Sequence, residues 1–213
     1  MRDFTSIMRS TGGKAPIVHI EYIEKALINL YKYPKREYHN WGHIEVCLHE
    51  LDAVNLPGID EFKDLIAIAI YYHDCIYDPE NKDNEERSAE RAFMDLLALG
   101  FLPQYAQWVY DHIMLTTHKI HSVHISGQLL MDIDLSILGK DTQTFQAYEE
   151  GIRQEYNFVS EDIYNLNRVK FLRSLLEKDI IYQTEYFRDR YEKSAKENIT
   201  NCINKMFFVH FAK

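Results

Sequence analysis

Apolar residues recur along most of the chain at helical rather than strand spacing. Ile20, Ile23, Ala26, Leu27 and Leu30 share one stripe and predict a helix from Ile17 to about Tyr33. A second begins near Asn40, carries His43, Val46, Cys47, Glu50 and Leu51, and stops before Pro57. The run from Leu65 to Ile70 that leads into His73-Asp74 alternates as a buried strand also would. Asp60-Glu61 suits an acidic first turn, which favours a helix buried nearly all round. Further helices are expected over Asn84–Leu99, closed by Gly100, and over Pro103 to about Thr117. After a polar loop, Lys119–Ser126, helix resumes over Gly127–Leu138 before Gly139, then over Asp141–Phe158, Ser160–Lys178 and Thr184–Phe208.

Punctuation agrees with this pattern. The prolines are Pro16, Pro34, Pro57, Pro79 and Pro103, and none follows, which leaves the second half free for long helices. No Asn-Gly or Asp-Gly hairpin signal occurs, and no repeat or linker divides the chain. The expectation is an all-α fold, one helical domain over residues 1–213 with its core at about 17–205.

Composition adds exclusions. With 213 residues, 46% hydrophobic and 27% charged, the chain is globular and long enough for a real core. It carries 24 Lys+Arg against 33 Asp+Glu, a net charge of −9, which argues against nucleic acid as the main partner. A small phosphate ligand remains compatible, because a bound metal ion supplies positive charge locally. Cys47, Cys75 and Cys202 are odd in number and form no CxxC pair, so a reducing cytoplasm is the expected location. No secretory leader is read in Met1–Gly13, and the longest nearly apolar run, Leu65–Tyr72, is too short to span a bilayer.

Candidate chemistry gathers in four blocks: Tyr38-His39-Asn40-Trp41-Gly42-His43, His73-Asp74, His118 with His121 and His124, and Asp132-Ile133-Asp134. His39 and His43 are four apart and on a helix would project from one face. His73-Asp74 ends a greasy helix, where a buried charge needs a partner. Two nitrogen and two carboxylate ligands from three helices would suit a first-row divalent metal with open water positions. Asp132 and Asp134 lie about 200° apart around a helix, so both cannot face one ion. His49-Glu50-Leu51-Asp52-Ala53 lacks the second His of H-E-x-x-H, and there is no G-x-S-x-G, P-loop or G-x-G-x-x-G.

The order His43 … His73-Asp74 … Asp134 resembles the H…HD…D pattern of the HD superfamily of helical metal-dependent phosphohydrolases. One branch of similar length is matched more closely, through Tyr38-His39-Asn40-x-x-His43-Ile44, His73-Asp74-x-Ile76-Tyr77-Asp78, Asn84-Glu85-x-x-Ser88-Ala89 and Asp132-x-Asp134-Leu135-Ser136-Ile137-Leu138-Gly139. Ile152-Arg153-x-Glu155-Tyr156 and Glu192-x-x-Ala195-x-x-Asn198 extend the likeness, and Lys196 departs from it where that branch carries Arg. The Tyr-His-Asn-x-x-His block is also similar to that of cyclic-nucleotide phosphodiesterases.

The resemblance implies His43, His73, Asp74 and Asp134 as metal ligands, with Asp134 preferred to Asp132 as the superfamily's terminal Asp. It implies His39 as general acid or phosphate contact, one helical turn of about 5.4 Å from His43. His118 is a candidate ligand for a second ion, and Asp78 and Glu85 are catalytic candidates that could position water or equally cap the next helix. Arg153 and Arg168 are candidates for bidentate phosphate binding. The expected cofactor is one divalent ion, or two, with Mn, Mg, Zn, Fe, Co and Ni all open. The expected partner is a small phosphate ester or anhydride, a nucleotide or similar metabolite, and a homo-oligomer is compatible. The alternatives are a diiron HD-type oxygenase and a metal-free nucleotide-binding regulatory protein.

Overall fold

The computed structural model describes residues 3–211, 69% of the chain being helical, with no strand among the described residues. The fold is all-α. Its contacts cluster in two compact units, one ending at Ile133 and the other beginning at Asp134.

The first unit contains α1 (Phe4–Ser10), α2 (Ile17–Lys32), α3 (Trp41–Ala53), α4 (Lys63–Tyr72), α5 (Asn84–Ala98) and α6 (Pro103–Leu115), and all of α7 (Ile125–Asp134) but its last residue. At its centre is α4, whose residues Leu65 to Tyr72 are all buried. The ambiguous alternating run is therefore a helix apolar on every face, with α1, α3, α5 and α6 packed against it. It starts later than Asp60-Glu61. Asp60 instead pairs with Lys63 at 2.9 Å, Lys63 also donates to the Val54 carbonyl at 2.8 Å, and Asp64 is the first-turn acid.

Helix α1 has no counterpart among the predicted elements. It is only seven residues long, too short for a periodic pattern to stand out, and it forms because Asp3 caps it through Ser6 N–H while Phe4, Ile7 and Met8 are buried. Phe4 meets Tyr71 of α4 edge-on at 5.1 Å. The α5–α6 corner follows the expected stop: Gly100 takes φ +83°, and Pro103 opens α6. Ser88, fully buried on α5, accepts from Ile76 N–H and donates to Ile76 O, which pins the segment just after His73-Asp74.

A buried histidine ties α6 to α7. His112 Nδ1 lies 2.9 Å from Trp108 O, so Nδ1 carries the proton and donates to that carbonyl, and Nε2 accepts from Ser126 Oγ at 3.0 Å. Burial pushes its pKa down to about 4.

The second unit runs from a 3-10 turn (Leu135–Gly139) through α8 (Thr142–Glu155), α9 (Glu161–Leu176) and α10 (Glu185–Phe187) into α11 (Lys193–Phe211). The expected helix Thr184–Phe208 is interrupted by a π turn, Arg188–Glu192. Long-range bonds hold it: Glu192 accepts from Ile181 and Tyr182 N–H, and Arg188 donates to the Tyr182 and Gln183 carbonyls. The wider turn sets Tyr191 against Gly139, where an added Cβ would lie 2.4 Å from Tyr191 Cβ. Asn198 on α11 donates to the Leu138 and Lys140 carbonyls, and Ser194 donates to Gly139 O.

Two stability measurements test this packing. In the folded protein His112 stays neutral below its ordinary pKa, whereas the unfolded chain takes up that proton. Its stabilising contribution is therefore complete above pH 6.5 and declines as the pH falls towards about 4, by on the order of 3 kcal/mol. Urea titrations of wild type and His112→Leu should show a smaller loss in the variant over that window; parallel curves would contradict it. Gly139→Ala should lower stability by about 1–3 kcal/mol through overpacking against Tyr191, read as a lower thermal midpoint, and an unchanged midpoint would refute the close approach.

Candidate metal centre

The ends of three helices supply the histidines and carboxylates. His43 lies in the first turn of α3, behind the Asn40 cap whose side chain accepts from Gly42 N–H at 2.8 Å. His73 closes α4, its N–H donating to Ala69 O. Its ring Nδ1 lies 2.9 Å from Ile70 O, so Nδ1 holds the proton and Nε2 presents a lone pair. Both imidazoles are buried. Their Nε2 atoms are 3.2 Å apart, and Asp74 Oδ2 lies 3.0 Å from His73 Nε2 and 3.7 Å from His43 Nε2. Asp134, the last residue of α7, offers a carboxylate oxygen that falls within 4.8 Å of the ligand nitrogens of both histidines.

These separations suit a cation. Bonds of about 2.0–2.2 Å to nitrogen and oxygen put neighbouring ligand atoms roughly 2.8–3.6 Å apart in octahedral or tetrahedral sites. A lone pair aimed at a second imidazole nitrogen, beside a carboxylate oxygen, is the donor set a divalent ion needs. Asp132 is fully buried and does not join this group.

His39 is close to the ligands but arrives differently from the expectation. Helix α3 begins at Trp41, so His39 precedes it and is not one turn before His43 on a shared helix. Its ring is stacked on Tyr77 with centroids 4.1 Å apart and lies 6.2 Å from the His43 ring. The Asn40 cap ends the helix there, and stacking replaces helical periodicity as the force that places the imidazole.

Other candidates are committed elsewhere. The exposed Asp78 carboxylate accepts from Glu80 N–H at 3.0 Å and Asn81 Nδ2 at 2.7 Å, ordering its own loop rather than substrate. Glu85 is a half-buried acid in the first turn of α5 and lies outside the ligand group. His118 adopts φ +54° after α6 and is likewise outside it, while His121 and His124 are exposed loop residues.

Both candidate phosphate arginines serve the fold of the second unit. Arg153 donates to the Tyr156 and Val159 carbonyls at 2.7 and 3.1 Å, closing the end of α8. Arg168 grips Glu149 through two bonds, of 2.5 and 3.0 Å, and donates to Tyr148 OH at 2.7 Å. Their guanidinium groups donate to protein acceptors of the second unit.

Arg36 was missed. Only 7% exposed, it donates through Nη1 to His39 O (3.1 Å) and Asp74 O (2.6 Å) and through Nη2 to Cys75 O (3.0 Å). In sequence it sits within Lys35-Arg36-Glu37, a charged run that reads as solvated loop. The Cys75 thiol is pushed up to about 12 by burial and is inert.

No family model matches the chain, and the searches of curated proteins and of solved structures also found no match. Among the described residues no helix is long and apolar enough to cross a membrane.

The geometry predicts a measurable ligand linkage. At about 100 times its Kd, a divalent ion should stabilise the wild-type protein by roughly 2.7 kcal/mol, seen as a raised thermal midpoint that chelation reverses. His73→Ala and Asp74→Ala should abolish the shift. A shift of equal size in both variants would place any bound ion elsewhere.

Proposed function

We propose that this protein is an HD-type, metal-dependent phosphohydrolase acting on a phosphate ester or anhydride of a small metabolite such as a nucleotide. The observation that carries this reading is the convergence of His43 Nε2 and His73 Nε2, with Asp74 Oδ2 beside both and a carboxylate oxygen of Asp134 grouped with the same two histidines. The H…HD…D resemblance supports it independently of distance. A divalent ion bound there would supply positive charge to phosphoryl oxygens and acidify a water for attack.

The chain's own residues do the rest. The Ile70 carbonyl fixes the His73 tautomer, so its Nε2 points inward without a proton to displace. Burial of His43 and His73 keeps bulk water from competing for their ring nitrogens. His39, outside the ligand group but near it, is the proton donor to the leaving oxygen or the polar contact to the phosphate. Arg153 and Arg168 are bound to protein groups, whereas the His39 ring lies 6.2 Å from that of His43. A diiron oxygenase would require a second full set of ligands, and among the described residues one such group is found.

The test separates the two roles of His39. His39→Ala should keep the metal-induced thermal shift. If His39 protonates the leaving oxygen, the variant loses roughly 10²–10⁴-fold in rate on alkyl phosphates and little on an activated aryl phosphate. A uniform loss identifies a phosphate contact, and loss of the thermal shift would make His39 a ligand. Wild-type protein loaded with Mn(II) or Co(II) that hydrolyses none of a panel of phosphomonoesters, phosphodiesters and nucleoside triphosphates would overturn the phosphohydrolase reading.

A further inference from the structure

The Arg36 guanidinium reaches three carbonyl oxygens on two stretches of chain that meet at the candidate centre. One nitrogen, Nη1, bridges His39 O and Asp74 O, and Nη2 takes Cys75 O. The guanidinium also lies over Tyr31, 5.3 Å from its centroid, and over Tyr77 at 5.6 Å. Tyr77 is the ring on which His39 stacks, and Tyr31 OH donates to Tyr71 O at the end of α4. The same cation therefore touches the backbone of His39, the backbone of Asp74 and the ring beneath the His39 imidazole. Its Nε is buried with no hydrogen-bond partner among the described residues, a cost of about 1–3 kcal/mol that the fold tolerates at this position.

Only arginine suits this geometry. A planar fork of donors spans carbonyls that diverge from one another, and its weak hydration lets it sit buried against two aromatic rings. A lysine ammonium is a compact, strongly hydrated point charge and cannot bridge the three oxygens from one position.

We infer that Arg36 is a positioning residue, holding the His39 segment and the Asp74-Cys75 turn in one frame so that imidazole and metal ligands keep a fixed separation. The inference rests on the metal-centre reading above. It acts through backbone carbonyls one bond network away from the ligands, the kind of outer contact whose loss costs 10–100-fold in metal affinity.

Cobalt(II) titration of the full chain tests it, with visible d–d absorption reporting coordination geometry and circular dichroism of the apo protein reporting the fold. Arg36→Lys and Arg36→Gln each keep donors at the position. The expected result is a folded variant with a lowered apo midpoint, Co(II) affinity weaker by 10–100-fold, and a d–d spectrum at saturation that differs from wild type. A merely structural role would lower the midpoint while leaving affinity and spectrum unchanged, and that outcome overturns the proposal. Failure of both variants to fold while wild type is stable assigns Arg36 to the fold alone and overturns it too. Wild-type protein that binds no Co(II) overturns the metal centre itself and the inference with it, a result legible without any variant.

Discussion

Because every residue from Leu65 to Tyr72 is buried, α4 has to be wrapped by other helices, and α1, α3, α5 and α6 pack against it. Each large apolar side chain so removed from water contributes roughly 1.5–3 kcal/mol. A ten-residue helix could not persist on propensity alone, so packing makes it. The constraint reaches the chemistry because this helix ends in His73 and Asp74. Neither can be carried into an apolar interior unpartnered. The Ile70 carbonyl accepts a hydrogen bond from His73 Nδ1–H, and the remaining ring nitrogen is turned towards His43 and the Asp74 carboxylate.

The arginines show how an acidic chain spends its cations. Arg36 holds backbone carbonyls beside the candidate centre, Arg153 closes α8, and Arg168 forms a two-bond pair with Glu149. The Arg168 arrangement also shows why its charge is firmly retained: burial opposes it, but the neighbouring Glu149 carboxylate and the Tyr148 hydroxyl more than compensate, and its pKa is raised well above the usual value. Such an arginine is poorly placed to release its partners for a phosphate. In the proposed reading, the attraction for a phosphoryl group would then come from a divalent ion held by the ligand cluster and not from these side chains.

The second unit relies on side-chain-to-backbone bonds that cross long stretches of sequence. Asn198, Ser194 and Tyr182 all reach the turn between Leu135 and Lys140. The π turn follows from the same economy. Glu192 collects two backbone N–H groups from the segment before α10, and Gly139 leaves room for Tyr191.

The apolar stripe of α2, the Gly100 stop, Pro103 at the start of α6 and the helical character of the proline-free second half were legible in the sequence, because each reports on its own turn of backbone and neighbouring side chains. So were His43, His73, Asp74 and Asp134 as candidates, since a carboxylate or imidazole inside an apolar run stands out locally. What only tertiary structure decided was which groups meet. The stacking of His39 on Tyr77, the burial of Arg36 among three carbonyls, and the commitment of Arg153, Arg168 and Asp78 depend on acceptors whose positions no local pattern records. Helix α1 and the π turn belong with them, being held by burial against other helices and by distant backbone donors. Local periodicity encodes which face of a helix is wet, whereas the partner of a buried polar group is set by where the rest of the chain comes to lie.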